Sequence, residues 1–113
     1  MDKRIQDIRH TGKKQTLLRG DPDLLARQVK LTEEVGELAQ AVLGMLSHPN
    51  ASKRASSSFE DVLEEAVDVT ICALDIFFTA GGTPEDLVDL LSSKTYKWKE
   101  KIRAESDRRS TFE

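Results

Sequence analysis

The chain has 113 residues, enough for one domain with a modest hydrophobic core. Charged residues make up 33% of it and hydrophobic residues 38%, a balance typical of a folded helical protein and not of a disordered segment. The formal net charge of −3 gives no general reason to bind nucleic acid, and no apolar run is long enough to cross a membrane. We therefore expect neither a nucleic-acid nor a membrane partner.

The single cysteine, Cys72, excludes an intramolecular disulfide and a cysteine-based zinc site within one chain. This favours a reducing compartment. The polar sequence that begins the chain contains no hydrophobic signal core. We predict a cytoplasmic protein.

The first twenty residues carry the weakest pattern, which predicts a short helix around Asp2 to Arg9 and then an irregular link. From Pro22 to about Leu46, apolar residues recur at spacings of three, four and seven, as on one face of an amphipathic helix. Asp21 is its predicted cap, with the proline in the first turn.

Residues 47–58 combine serines with proline and asparagine and predict a flexible loop. The next helix begins at Ser58 or Phe59 and ends at Thr79 or Ala80, before two glycines.

The last helix begins at Thr83, where proline and two acidic residues follow, and ends near Arg103, leaving 104–113 as a frayed tail. No segment alternates with a period of two, so the predicted class is all-α: one domain, 1–113, with a core at about 20–103. Three long helices and the short N-terminal helix form a helical bundle. Because the helix from Val62 to Phe78 is apolar around most of its circumference, we expect oligomerisation, as a homodimer or homotetramer, to complete the bundle.

Two pairs of acidic residues carry the main chemical signal. Glu34 and Glu37 are three apart on one helix, and Glu65 with Asp68 repeats that spacing on the next, so each pair shares a helix face. If antiparallel packing joins the pairs, each close pair of carboxylates repels by about 3 kcal/mol at an effective dielectric near 20. A divalent cation bound between the carboxylates replaces this repulsion by a net attraction. Oxygen ligands favour Mg²⁺, with Mn²⁺ as a substitute.

Glutamates three apart also occur on solvated helix faces, where they form ordinary ion pairs. Asp68 argues against that reading for this chain, since it interrupts the apolar segment 66–71 and an ionised carboxylate there needs a partner. A di-iron site is not indicated, because His10 and His48 lie outside both carboxylate helices.

The pattern Glu34-x-x-Glu37, a variable gap and then Glu65-x-x-Asp68 resembles the MazG-like family of all-α nucleoside triphosphate pyrophosphohydrolases, and the likeness covers roughly residues 20 to 102. The resemblance implies metal-dependent hydrolysis of a (deoxy)nucleoside triphosphate to monophosphate and pyrophosphate. A carboxylate not fully engaged with metal would take the proton of the attacking water, and Glu33 and Glu34 are the two candidates.

Basic residues provide candidate phosphate ligands. Lys94, Lys97 and Lys101 share one side of the last helix, and Lys30 lies one turn before the first acidic pair. The alternative is a solvated basic helix end that interacts with its own dipole. Trp98 either stacks on a nucleobase or packs in a core or interface.

Three functions follow from these features. The first is a house-cleaning pyrophosphohydrolase of the nucleotide pool, and the second is an enzyme similar to phosphoribosyl-ATP pyrophosphohydrolase. The third is a non-catalytic helical interaction protein whose carboxylates form ion pairs between subunits.

Overall fold

The structure is a computed structural model that describes residues 1–46 and 58–112. It contains four helices, α1 (Lys3–Arg19), α2 (Leu24–Met45), α3 (Phe59–Thr79) and α4 (Pro84–Phe112). No strand occurs in these two described ranges, so the all-α prediction is confirmed. The predicted loop 47–58 lies outside the described residues, except for Ser58. None of the described helices combines the length and the apolar character that a membrane span requires.

The chain divides into two compact units, Met1–Gly81 with α1, α2 and α3, and Gly82–Glu113 with α4. In the first unit α3 packs against both α1 and α2. Contacts between α2 and α3 run in opposite order along the chain: Glu37 lies near Glu65, and Arg27 pairs with Asp75. The two helices are therefore antiparallel, the arrangement that the candidate site requires.

The interior of the first unit mixes apolar and charged side chains. Ala41 and Phe78 are buried apolar residues, while Arg27 and Glu34 are buried although they carry charge. Buried charges need partners. Within the described residues, the partners of Arg27 and Glu34 define two polar clusters.

Helix α1 is longer than predicted, because it continues past Arg9 to Arg19. The sequence Thr11-Gly12 has low helix propensity, but Gly12 is buried against α3 and this packing offsets the local preference. Gly20, with φ 73°, ends the helix in the left-handed conformation and donates its N–H to the Thr16 carbonyl. The predicted short helix and irregular link are therefore wrong.

Helix α2 begins two residues later than predicted. Its cap is Asp23, whose carboxylate accepts the N–H of Ala26 at 3.1 Å. The predicted cap, Asp21, instead accepts the N–H of Asp23 at 2.9 Å. The Pro22 carbonyl accepts a hydrogen bond from the Arg27 side chain, which holds the proline outside the helix.

The predicted start of α3 is confirmed by a capping box. Asp61 donates its N–H to the Ser58 hydroxyl at 3.2 Å, and Ser58 donates its N–H to the Asp61 carboxylate at 2.9 Å. The helix ends at Thr79, also as predicted.

The second unit begins with the same reciprocal pattern. Thr83 donates its N–H to Asp86 at 3.0 Å and accepts the N–H of Asp86 at 3.1 Å, ahead of Pro84 as the first helical residue. Helix α4 then runs past Arg103 to Phe112, so the predicted fraying there is wrong. An ion pair of 3.5 Å between Arg103 and Glu100 favours the longer helix, as do the good helix formers Ala104, Glu105, Arg108 and Arg109.

Candidate metal centre

Three of the four predicted metal ligands converge between α2 and α3. Carboxylate oxygens of Glu34, Glu37 and Glu65 all lie within 4.8 Å of one another. The spacing of three on α2 places its two glutamates on one face, and antiparallel packing brings Glu65 of α3 opposite them. Glu34 is buried, Glu65 is half-buried and Glu37 is exposed, so the cluster opens to solvent on one side.

Asp68 lies beside this group and not within it. It is exposed, and it follows Glu65 by one turn on α3. Its negative charge still raises the pKa of Glu65. The sequence pattern suggested an enclosed Asp68, but its neighbours Val67 and Ile71 are themselves exposed in the single chain.

The negative charges of the cluster oppose ionisation of Glu65. Partial burial first, and then the charges of Glu37 and Asp68, raise the pKa of Glu65 above its usual range. The nearby Glu37 carboxyl group favours the protonated form of Glu65 and so raises the same pKa further. Without a cation, the cluster therefore resists full ionisation.

One lysine partly neutralises the cluster. Lys30 donates to Glu34 Oε1 at 3.0 Å, and its Nζ lies 3.9 Å from Glu33 Oε2. The hydrogen bond and charge of Glu34 raise the pKa of Lys30. Glu33 is exposed and does not belong to the group of three converging carboxylates.

Two carboxylate oxygens of the cluster lack partners. Within the described part of the chain, Oε2 of Glu34 and Oε2 of Glu65 are buried and accept no hydrogen bond. Buried acceptors are normally satisfied, and an ionised one without a partner is costly. A hard divalent cation would satisfy both atoms, and an all-oxygen donor set suits Mg²⁺ or Mn²⁺. The residues present therefore fit the predicted metal.

A second polar cluster, which the sequence analysis missed, centres on Arg27. Its Nε donates to Asp75 Oδ2 at 3.0 Å and its remaining nitrogens donate to Thr16 Oγ1 at 3.1 Å and to the Gly12 carbonyl at 3.0 Å, as well as to the Pro22 carbonyl. We call these five residues the Arg27 network. It joins α1, α2 and α3 through one side chain.

A sequence signal for the Arg27 network exists. Arg27 falls on the apolar stripe of α2, three residues after Leu24 and four before Leu31. A cation at such a position needs a partner of opposite charge, because burial without one is costly. Asp75 interrupts the apolar sequence of α3 in the same way. Two opposite charges at core positions of neighbouring helices predict a buried pair.

A cavity of about 550 Å³ lies beside the Arg27 network. Lys30 belongs to its wall and at the same time contacts Glu34, so the cavity and the carboxylate cluster are adjacent. Cys72 also lines it; burial, followed by the charge of Glu34, raises the pKa of its thiol. Helix α1 contributes most of the remaining polar wall: Asp7, Thr11, Gln15 and Arg19.

The other predicted ligands lie on α4, in the second unit. Lys94, Lys97 and Lys101 are exposed and follow one another at spacings of three and four on one side of that helix. Trp98 is 68% exposed. On α4, the structure thus presents a basic face that includes an open aromatic ring.

Comparison with known proteins adds no further information: no family model, no curated protein and no solved structure matches the chain.

Proposed function

We propose that the protein is a Mg²⁺-dependent pyrophosphohydrolase that converts a (deoxy)nucleoside triphosphate to its monophosphate and pyrophosphate. The observation that carries this proposal is the convergence of Glu34, Glu37 and Glu65 with two buried oxygens that lack partners. Carboxylate ligands of this kind are typical of Mg²⁺ sites at which the ion also binds the phosphates of the substrate. The resemblance in the spacing of the carboxylates supports the same reaction.

In this proposal Glu34, Glu37 and Glu65 hold the ion, with Asp68 as a further ligand at the open side of the cluster. A bound Mg²⁺ supplies charge neutralisation of the phosphate oxygens and makes a water molecule more acidic. Glu33 is the better candidate to accept the proton of that water, because it is exposed and lies outside the ligand group. Glu34 is the alternative base, but Lys30 already engages one of its oxygens.

The cavity beside the cluster is the proposed place for the nucleoside. Its volume of about 550 Å³ falls within the usual range of small-molecule sites, about 300–1,000 Å³. Lys30 lies between the cavity and the cluster, where the phosphates of a bound nucleotide would pass. Lys94, Lys97, Lys101 and Trp98 remain proposed contacts to phosphates and base.

We further propose that the working form is a homo-oligomer in the cytoplasm. Large apolar side chains of α2 and α3 are exposed in the single chain, which is unusual for a monomer unless another chain covers them. The most exposed of them are Leu25, Leu43, Phe59 and Leu63, and Leu46, directly after α2, is exposed as well. Cys72 as the lone cysteine supports a reducing setting.

The same apolar surface favours a second candidate, a non-catalytic helical interaction protein. In that case Glu34, Glu37 and Glu65 would serve ion pairs with another subunit. This candidate predicts no turnover with any nucleotide and no specific affinity for divalent ions.

The test is a pyrophosphate-release assay with Mg²⁺ across the ribo- and deoxynucleoside triphosphates and phosphoribosyl-ATP. We expect pyrophosphate and not orthophosphate, and loss of its release in Asp68→Asn. Preference for phosphoribosyl-ATP would identify the histidine-synthesis type of reaction. Full turnover in Asp68→Asn would remove that residue from the site, and no turnover with Mg²⁺ or Mn²⁺ would favour the interaction protein.

A further inference from the structure

Lys30 approaches the carboxylate cluster from the solvent side. Its side chain is 60% exposed, while that of its partner Glu34 is only 9% exposed. Within the described residues, it is the one cation that forms an ion pair with a member of the converging group. A flexible ammonium thus neutralises a carboxylate that is otherwise cut off from water.

A divalent ion and Lys30 would compete for Glu34. The lysine occupies Oε1, whereas Oε2 of the same carboxylate is buried and has no partner. An ion placed among Glu34, Glu37 and Glu65 would supply twice the charge of the ammonium to the same oxygens. Because most of the Lys30 side chain is exposed, water competes for its ammonium and the ion pair holds that group only weakly.

Once it leaves Glu34, the Lys30 ammonium can turn toward the neighbouring cavity. Lys30 lines the wall of the cavity of about 550 Å³ together with Ile71 and Cys72 and also contacts Glu34, so its side chain borders both the cavity and the cluster. Rotation about its four-carbon stem moves the ammonium from Glu34 toward the cavity. A polyphosphate bound there would offer it anionic oxygens.

We propose that Lys30 is an exchangeable cation that neutralises Glu34 in the metal-free protein and transfers to a phosphate oxygen when the metal and a triphosphate bind. The proposal rests on the proposed function and adds to it a defined change of partner. Lys30 is then a positioning residue before the metal binds and a substrate ligand afterwards.

The test measures two affinities in Lys30→Met, with Lys14→Met as the control. Lys14 is an exposed residue of α1 that does not line the cavity, and its replacement changes the net charge by the same amount. Binding of Mn²⁺ alone is followed by electron paramagnetic resonance of the free ion, and binding of inorganic triphosphate in the presence of Mn²⁺ is followed by isothermal titration calorimetry. Neither measurement depends on turnover.

We expect Lys30→Met to bind Mn²⁺ about two- to fivefold more tightly than the wild-type protein, since a competing ion pair is removed. We expect the same variant to bind triphosphate in the presence of Mn²⁺ more weakly than the wild-type protein, and Lys14→Met to change neither affinity. Opposite changes in the Mn²⁺ and triphosphate affinities distinguish exchange from a general loss of structure, which would weaken both affinities.

Unchanged or weaker Mn²⁺ binding in Lys30→Met, or unchanged triphosphate binding, would overturn the exchange. If the wild-type protein still releases pyrophosphate in that case, the proposed function stands without it. A wild-type protein that neither binds Mn²⁺ nor releases pyrophosphate would overturn both.

Discussion

At the scale of single residues, Arg27 and Asp75 place opposite charges where apolar side chains would normally pack. The side chain of Arg27 is only 5% exposed, and it finds an acceptor for each of its nitrogens within the Arg27 network. Such a pair does not by itself guarantee high stability, but it makes the removal of one partner costly, because the other remains as an uncompensated buried charge.

Arg27→Ala and Asp75→Asn should therefore each lower the free energy of unfolding by about 3–5 kcal/mol. Urea denaturation followed by circular dichroism measures the loss. The matched control is Arg103→Ala, whose ion pair with Glu100 is exposed and should contribute less than about 1 kcal/mol. Equal effects in the two pairs would show that burial of Arg27 carries no special weight.

Glu65 leads to a prediction about pH. Its pKa is raised in the folded protein, so the protonated form stabilises the fold, and this contribution is lost as the pH rises through the folded pKa. Below the unfolded value, near 4.5, the carboxyl is protonated in both states, so its ionisation no longer destabilises the fold. Without metal, Glu65→Gln should therefore melt at a higher temperature than the wild-type protein at pH 7, but not at pH 4.

Thermal melts in EDTA at the two pH values measure this effect, with Glu64→Gln as the control, because Glu64 is an exposed neighbour on α3. Added Mg²⁺ should raise the melting temperature of the wild-type protein more than that of Glu65→Gln. A lower melting temperature for Glu65→Gln at pH 7 would contradict the repulsion that we infer in the cluster.

At the scale of helices, the position of α1 depends on the absence of a side chain at Gly12. A Cβ atom there would lie 2.3 Å from Asp75 Oδ1, and Arg27 and Thr79 hold that carboxylate in place. Close approach also lets the Gly12 carbonyl accept from Arg27. A residue that weakens α1 as an isolated helix thus allows it to dock.

Gly12→Ala should destabilise the protein by about 1–3 kcal/mol from overpacking, although alanine is the better helix former by about 1 kcal/mol. Gly36→Ala is the matched control, because nothing lies within 4 Å of the added Cβ on α2 and the substitution should stabilise by about 0.5–1 kcal/mol. Urea denaturation of both variants compares them. Stabilisation by both would show that α1 docks without a close contact at Gly12.

The same helices show how far local sequence predicts this fold. Caps formed by neighbouring residues, such as Ser58 with Asp61 and Thr83 with Asp86, are local and were predictable. The extent of α1 was not, because the packing that supports Gly12 comes from Asp75, far away in the chain. The start of α2 differs because two aspartates compete for the cap: Asp23 accepts the N–H of Ala26, whereas Asp21 accepts that of Asp23.

In the candidate site, the spacing of three predicts which glutamates share a helix face, and antiparallel packing brings Glu34, Glu37 and Glu65 together. Spacing alone could not predict that Asp68 lies at the open edge, because its burial depends on what covers α3. Nor could it predict that Arg27 finds acceptors on α1, which only the three-dimensional arrangement supplies.

At the scale of the whole molecule, the exposed apolar residues of α2 and α3 lead to a prediction about assembly. Light scattering should give a mass of two or four times the 12.7 kDa chain, because a second copy would cover these side chains. Leu63→Lys, at a position 65% exposed in the single chain, should lower that mass. A monomeric wild-type protein at all concentrations would contradict the proposed oligomer.

We propose that the carboxylate cluster holds the metal that drives pyrophosphate release, and a comparison of Glu65→Gln with Glu64→Gln tests this role of the cluster. The two neighbours lose the same charge, but only Glu65 belongs to the converging group. We predict that Mg²⁺-dependent pyrophosphate release falls at least about a hundredfold in Glu65→Gln, the effect of losing several kcal/mol of transition-state stabilisation, and is retained in Glu64→Gln. Equal activity in the two variants, or none in the wild-type protein, would contradict the account.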